Sequence, residues 1–411
     1  MLNFFGNYKL LSPQVKFMVA GQATLQLINA TFVICLNLYM AKEGYNDPEI
    51  GAFASLRFLA IMLLAFPLGF FIRGKALKPL FIIAGITVPL FALLLTQAVG
   101  NNNNAQINLF MLLWGVSFAL MRVSSLPFVL RNVQPQFQQE AISLNYSTWS
   151  FTMFLAGIFG FVSLTYFPVL FSEAMLLKGS SIIGFASVIF FVAIGKKEIV
   201  NKEEKKTTFN LKQYDWASIG KALAPNLIIA VGAGLTIQFI NLFFYNVYGM
   251  DTSTFSLIVS LTAILIFGAA LITPYIKKRF DYEIGITFVQ SLAILCLIIL
   301  ATTQFYSHLG IALIIAVVFF IIRQPLMNMA GPITTDLAMN YVGKKNHEII
   351  AALSVSMWSG SWFISGQIFK WLRSMNLDYV YIFLITAVLY TVAVFMYYLL
   401  IKSYKKRLAN A

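Results

Sequence analysis

Gln26-Leu27-Ile28-Asn29 sits inside the first long apolar span of the chain, and Gln238-Phe239-Ile240-Asn241 sits inside the first span of its second half. Later in each half a lone arginine interrupts an apolar run: Arg122 follows Ala119-Leu120-Met121, and Arg323 follows Phe320-Ile321-Ile322. Ser147-Thr148-Trp149-Ser150 is then answered by Ser356-Met357-Trp358-Ser359. The partners stand 212, 201 and 209 residues apart, which reads as one ancestral unit duplicated with small differences in its loops.

Composition names the solvent. With 411 residues, 59% of them hydrophobic and 11% charged, and a mean hydropathy of +0.80, the chain carries more apolar surface than a water-soluble core can hide. Gly and Pro punctuate apolar runs of roughly twenty residues, the length of a helix across a bilayer, whereas barrel strands are about half as long and alternate. Spans are expected at 15–42, 48–72, 78–99, 106–131, 138–166, 173–195, 220–248, 253–276, 283–304, 309–341, 347–373 and 379–402. The fold class is an all-α integral membrane protein, with twelve transmembrane helices in two pseudo-symmetric six-helix bundles.

Cytoplasmic loops retain Lys and Arg. With the N-terminus inside, 22 of the 29 basic residues fall on the inner side, four outside (Lys42, Lys178, Lys370, Arg373) and three within spans (Arg57, Arg122, Arg323). Both termini are therefore expected in the cytoplasm. The net charge of +14 is mostly this topology signal, helped by attraction to anionic lipid, and requires no nucleic-acid partner. The first span is too long, and wrongly flanked, for a cleavable signal. Cys35 and Cys296 both lie within spans and carry neither a disulfide framework nor a metal motif, so no metal and no cofactor is expected. Lys196 to Asn210 is charged and poor in apolar residues. The expected division is an N-terminal bundle over 1–195, a cytoplasmic linker over 196–219 and a C-terminal bundle over 220–411. Leu211 to Ala222, with Tyr214 and Trp216, is expected to form a short helix at the membrane surface.

Twelve spans, cytoplasmic ends, a central basic linker and a two-fold repeat resemble the major facilitator superfamily over nearly the whole chain. That family's Gly-x-x-x-Asp-Arg-x-Gly-Arg-Lys-like loop after the second helix is partly matched by Gly69-Phe70-Phe71-Ile72-Arg73-Gly74-Lys75-Ala76-Leu77-Lys78, which lacks the acidic member and compresses the basic ones. The corresponding loop of the second half, Pro274-Tyr275-Ile276-Lys277-Lys278-Arg279-Phe280-Asp281, keeps the basic cluster. The resemblance implies that these loops act as conformational latches, with Arg73, Lys75, Lys277, Lys278 and Arg279 as gating residues. It also implies that the first, fourth, seventh and tenth helices line a central cavity.

Residues on those helices agree with that implication. Gln22, Gln26 and Asn29 fall at i, i+4 and i+7, and Gln238, Asn241 and Tyr245 at i, i+3 and i+7, each set forming one stripe. Amides in lipid must find partners. An aqueous cavity supplies them, and so does a neighbouring helix that the amide ties down. An Arg near mid-span costs on the order of 3 kcal/mol on insertion scales, so it normally faces the bundle interior or a wet cavity. Arg122 and Arg323 occupy corresponding helices and are expected to approach one substrate from opposite sides. Carboxylates stand elsewhere: Glu140, Glu173, Glu348 and Asp378 fall at helix ends, and Asp336 comes 13 residues after Arg323, about 20 Å along an ideal helix. A surplus of positive charge favours an anion, because guanidinium offers carboxylate or phosphate a fork of donors. Arg57 has no counterpart in the second half and reads equally as a substrate contact, a gate or a structural donor. Pro325, next but one after Arg323, is expected to loosen its helix. Trp149 and Trp358, flanked by hydroxyls, can stack on a flat substrate or fill space between helices.

No phosphate-cradling loop, metal cluster or Ser/His/Asp constellation is present, so enzymatic activity and ATP-driven pumping are not expected. The expectation is a secondary active or facilitative transporter that works by rocker-switch alternating access on a small organic anion held between the two bundles. It is expected to act as a monomer in the bacterial inner (plasma) membrane, and proton or counter-anion coupling, facilitated diffusion and co-transport in which the substrate itself carries the proton are all open. Competing readings are an exporter of amphipathic or drug-like compounds, a flippase for a lipid-linked substrate, and a receptor that no longer transports.

Overall fold

The computed structural model describes residues 11–72, 74–134, 137–195, 214–343 and 347–409, and all regular structure among them is helical. Two compact units emerge, one formed by residues 1–45 with 56–209 and the other by 46–55 with 210–411. The first nine residues of the second helix, 47–55, therefore belong with the C-terminal unit. The basic stretch 196–213 lies outside the described residues.

The first unit holds α1 (Pro13–Lys42), α2 (Asp47–Phe71, beyond its first turns), α3 (Lys78–Gly100), α4 (Asn104–Asn132), α5 (Gln138–Tyr166), α6 (Glu173–Gly184) and α7 (Ser187–Ala193). Pro13 begins α1, where its missing N–H costs nothing. Asn103 and Ser172 cap α4 and α6 by accepting from the backbone N–H of Gln106 at 3.1 Å and of Met175 at 3.3 Å. The sixth span is thus two helices in sequence, α6 and α7. In this unit α1 packs against α5, α6 and α7, and α3 packs against α4. Phe81 lies in the core with Phe128 and Phe191, at ring separations of 5.4 Å in each case.

The second unit holds α8 (Trp216–Thr236), α9 (Ile240–Tyr248), α10 (Thr252–Tyr282), a π-turn over Glu283–Phe288, α11 (Val289–Thr302), α12 (Gly310–Val342), α13 (His347–Ser374) and α14 (Tyr379–Ala409). Asp215 and Asp251 cap α8 and α10 by accepting from Ser218 N at 3.1 Å and Thr254 N at 2.8 Å. Trp216 to Ala222 are the opening turns of α8 rather than a separate surface helix. The seventh span breaks at residues 237–239, across the start of the Gln238-Phe239-Ile240-Asn241 repeat, although α1 runs unbroken through its own copy. Helix α12 continues through Pro325 and Pro332, so the loosening expected at Pro325 does not interrupt it. Helix α8 packs against α13 and α14, as α1 does against α5 and α6, which is the packing signature of the duplication.

Eleven spans among the described residues are long and apolar enough to cross a bilayer. The more polar α13, with 28 residues, completes the expected twelve.

Candidate functional site

In the first unit the site is built around a close approach of two helices. A Cβ on Gly115 of α4 would stand only 2.3 Å from the carbonyl oxygen of Arg57 on α2. The missing side chain lets the backbones meet and brings the preceding residue, Trp114, against the Arg57 guanidinium. The guanidinium carbon lies 4.6 Å from the Trp114 ring centroid and 4.6 Å from that of Phe58, both within cation–π range. Trp114 is itself wedged against Phe32 of α1 at 4.8 Å and Phe118 at 6.2 Å. Its indole N–H is buried without a partner among the described residues.

A chain of amides completes the clamp. Arg57 Nη1 donates to Asn29 Oδ1 at 3.0 Å, and Asn29 Nδ2 donates to Gln26 Oε1 at 3.3 Å. Gln26 and Asn29, from the repeat motif, thus fix the orientation of a charge on the neighbouring helix. Arg122 on α4 is exposed, and its charge opposes that of Arg57. It has no hydrogen-bond or ion-pair partner among the described residues. One arginine is held and the other is free.

Carboxylates do not answer them. In this unit Glu43 follows the last residue of α1, and Glu173 opens α6 in an ion pair with Lys42. Glu140 belongs to the first turn of α5. Among the described residues of the first unit, no acidic residue lies in the middle of a span.

The other predicted residues are distributed differently. Gln22 is buried and donates across to Asn145 O and Thr148 Oγ1 of α5, each at 3.2 Å, so it ties two helices together. Gln238 does the same in the second unit, donating to Gly234 O and to Trp362 O of α13, each at 3.2 Å. Asn241 is buried on α9 and caps the N–H of Leu242 at 3.0 Å, while Tyr245 is half-buried one turn on. Trp149 is exposed on α5 and Trp358 half-buried on α13.

Arg323 is only 1% exposed. Its guanidinium donates to the Tyr390 hydroxyl of α14 at 3.3 Å, and its Nε has no partner among the described residues. Gly232 makes room for that tyrosine, since a Cβ there would stand 2.7 Å from the Tyr390 ring. Arg323, expected to approach a substrate opposite Arg122, is buried against Tyr390, whereas Arg122 is exposed.

Of the gating candidates, Arg73 lies outside the described residues, as do the side chains of Lys277 and Lys278, and Arg279 is exposed. The Lys75 ammonium lies 3.4 Å from the Phe71 ring centroid. Arg131, at the end of α4, donates to Lys75 O at 3.0 Å and Ile72 O at 3.4 Å, and so holds the loop after α2.

Sequence reasoning missed Trp114, Phe58 and Arg131. It also missed a charged knot in the second unit, where Asp47 accepts from Arg373 Nε at 2.8 Å, from Asn246 Nδ2 at 3.1 Å and from the Tyr379 hydroxyl. Asp47 and Arg373 are 326 positions apart, so no local pattern could link them. Trp114 did carry a signal, as a large ring next to a glycine on the helix that bears Arg122.

Comparison with known proteins agrees with this architecture. The chain has 14% identity to the nucleoside transporter NupG, covering 95% of this chain and 99% of that one at a TM-score of 0.69. It has 14% identity to a POT family transporter crystallised with 5-aminolevulinic acid, covering 95% and 96% at a TM-score of 0.72. Against a D-xylose-proton symporter the identity is 12%, the coverage 93% and 96%, and the TM-score 0.69. At such identities these likenesses speak for the fold alone. No curated protein sequence matches. The family profile described as Major Facilitator Superfamily matches residues 18–366, most of the length over which the two helical units repeat. On the span pattern, the duplicated packing and that match together, the chain belongs to the major facilitator superfamily and is a multi-pass membrane transporter, not an enzyme.

Proposed function

We propose that this transporter carries a small organic anion, bound through Arg57 and Arg122 with Gln26 and Asn29 beside them. What supports the reading is the Arg57 guanidinium held by Asn29 and Trp114, with the exposed Arg122 on the α4 helix that packs against it, in a unit whose described spans carry no acid at their middle. Charged donors in a low-dielectric setting bind anions strongly because water is not there to compete. The same surplus charge disfavours the cationic compounds that a drug exporter would carry. Neutral acceptors already orient Arg57, so an incoming carboxylate or phosphate finds its donors arranged and loses little entropy on binding.

Transport follows an alternating-access cycle driven by solute gradients, in the inner (plasma) membrane with both termini in the cytoplasm. Arg323 contributes by holding α12 to α14, while Asn241, Tyr245, Trp149 and Trp358 remain candidate contacts for the uncharged part of the substrate. The latch residues Lys75 and Arg279, with Arg73, Lys277 and Lys278, are assigned to gating.

The test is a thermal-unfolding screen of the purified protein against metabolite anions, since a ligand that binds only the folded form raises its apparent stability. Hits should lose their effect in Arg57→Gln and Arg122→Gln, and both variants should fold yet fail to accumulate the anion in proteoliposomes. Undiminished uptake by both variants would end this reading.

A further inference from the structure

We propose that a small cavity inside the second unit binds a sodium ion. The inference concerns that unit alone and does not depend on the anion reading.

The cavity, of about 30 Å³, lies where α8, α12, α13 and α14 meet. That is room for one or two particles the size of a water molecule. Its polar wall consists of Asn226 on α8, Thr334 and Thr335 on α12, Ser354 on α13 and Tyr397 on α14, and the rest of the wall is apolar. Among the described residues, no charged side chain lines it.

The direction in which the hydroxyl protons point decides the ligand. Thr334 and Thr335 both donate to Gly331 O, at 2.8 and 3.0 Å, and Ser354 donates to Ile350 O at 2.8 Å. Each of these bonds reaches back one turn of its own helix, so the helix itself keeps the proton engaged. A hydroxyl has one proton and two lone pairs, so these three oxygens can meet a ligand only as acceptors. The Asn226 side chain makes no hydrogen bond to another described residue, which leaves its carbonyl oxygen open as well. Tyr397, only 1% exposed, adds a hydroxyl whose lone pairs can turn to the same space.

Acceptors drawn from four helices around one small space suit a cation. A water molecule can give its protons to only two of them, whereas a cation attracts every one. The wall is neutral, and calcium and magnesium recruit carboxylates, so the guest is monovalent. Sodium, the smaller of the two common monovalent cations, fits a space no larger than one or two waters. An ion held in this way gives a transport cycle a coupling partner without a carboxylate in the middle of a span.

The test is thermal unfolding of the purified full-length protein in sodium chloride, potassium chloride and choline chloride at one ionic strength, with no added substrate. Sodium should raise the melting temperature saturably, by about 2–5 °C at ten times its half-saturating concentration, and the other two salts should not. Chloride is common to all three, so any effect of the anion cancels and the anion reading stands or falls separately. Asn226→Leu should raise the half-saturating sodium concentration roughly tenfold. Asn226→Asp, which keeps an oxygen and adds a charge, should lower it. Ser354→Ala, which removes one acceptor with little change of volume, should raise it, and isothermal titration of sodium into the unaltered protein gives the reference value. Equal melting in all three salts means that the cavity takes up water only and overturns the proposal. A rise that sodium and potassium share overturns it too, as does a sodium midpoint that all three substitutions leave unchanged.

Discussion

Substituting Gly115 by Ala tests the packing on which the arginine clamp depends. The new Cβ would sit 2.3 Å from Arg57 O, 2.9 Å from Ala60 Cβ and 3.1 Å from Arg57 C, where ordinary contact begins at 3.4 Å. The shortfall at the carbonyl is 1.1 Å, and two of those three neighbours are backbone atoms, so no rotamer change relieves it. Helix α2 must move away from α4 at the residue that carries the guanidinium. Overpacking of this kind costs about 1–3 kcal/mol. Against it stands the preference of a helix for Ala over Gly, up to about 1 kcal/mol. The net is a loss of up to about 2 kcal/mol, or several degrees of apparent melting temperature at roughly 2–4 °C per kcal/mol. Gly179 on α6 is the control, since a Cβ there meets nothing within 4 Å. Thermal unfolding of the two variants should diverge, with Gly115→Ala below wild type and Gly179→Ala at or above it. Anion affinity should fall only in the first, because its shift carries Arg57 away from Asn29. Gly115→Ala that melts with Gly179→Ala and binds as wild type does would refute the reasoning.

Trp114→Leu should weaken anion binding while Trp114→Phe keeps most of it, because the ring face is worth about 0.5–2 kcal/mol to Arg57; equal titrations for the two variants would argue against the stacking role. Arg323→Gln should lower the melting temperature by an amount equivalent to about 1–3 kcal/mol, through the lost bond to Tyr390, with little change in anion affinity; the reverse pattern would return Arg323 to the substrate site. Breaking the Asp47–Arg373 pair, whose side chains are 10% and 19% exposed, should cost about 3 kcal/mol in Asp47→Asn, and adding Arg373→Gln should recover part of it; unfolding unchanged from wild type would contradict the knot. Asp281 accepts from Tyr282 N at 2.7 Å and pairs with Lys405 at 3.1 Å, and these contacts lower its pKa from the ordinary carboxylate value. A lowered folded pKa means stability that is present above the ordinary range and lost as pH falls through the lowered value. Asp281→Asn should therefore flatten the melting-temperature profile below about pH 4, which a pH series of unfolding curves would reveal.

The loop after α2 and the helix ends show where one-dimensional pattern stops. A cap such as Asp215 or Asp251 acts on an N–H three residues away, so its meaning is carried within one turn of chain. Arg131 acts on carbonyls 56 and 59 positions earlier, and nothing beside it in the chain announces that. The tetrapeptide repeat divides in the same way. Gln26 sits in a continuous helix and braces Asn29, whereas Gln238 sits where the helix breaks and ties down α13. Equal residues at equal depth acquired different partners.

Span number and the repeated packing were legible before any coordinates, because the bilayer imposes a length and a polarity on each segment independently of the others. The absence of a mid-span acid was legible too, being a property of position along the chain. The roles of the three arginines were not. Arg57, Arg122 and Arg323 each interrupt an apolar run and look alike in one dimension. Trp114 and Asn29 clamp the first, the second is exposed with no hydrogen-bond or ion-pair partner among the described residues, and the third is buried and bonded to Tyr390. A guanidinium in a membrane takes its function from what surrounds it, and those surroundings come from helices far apart in the chain that packing alone brings together.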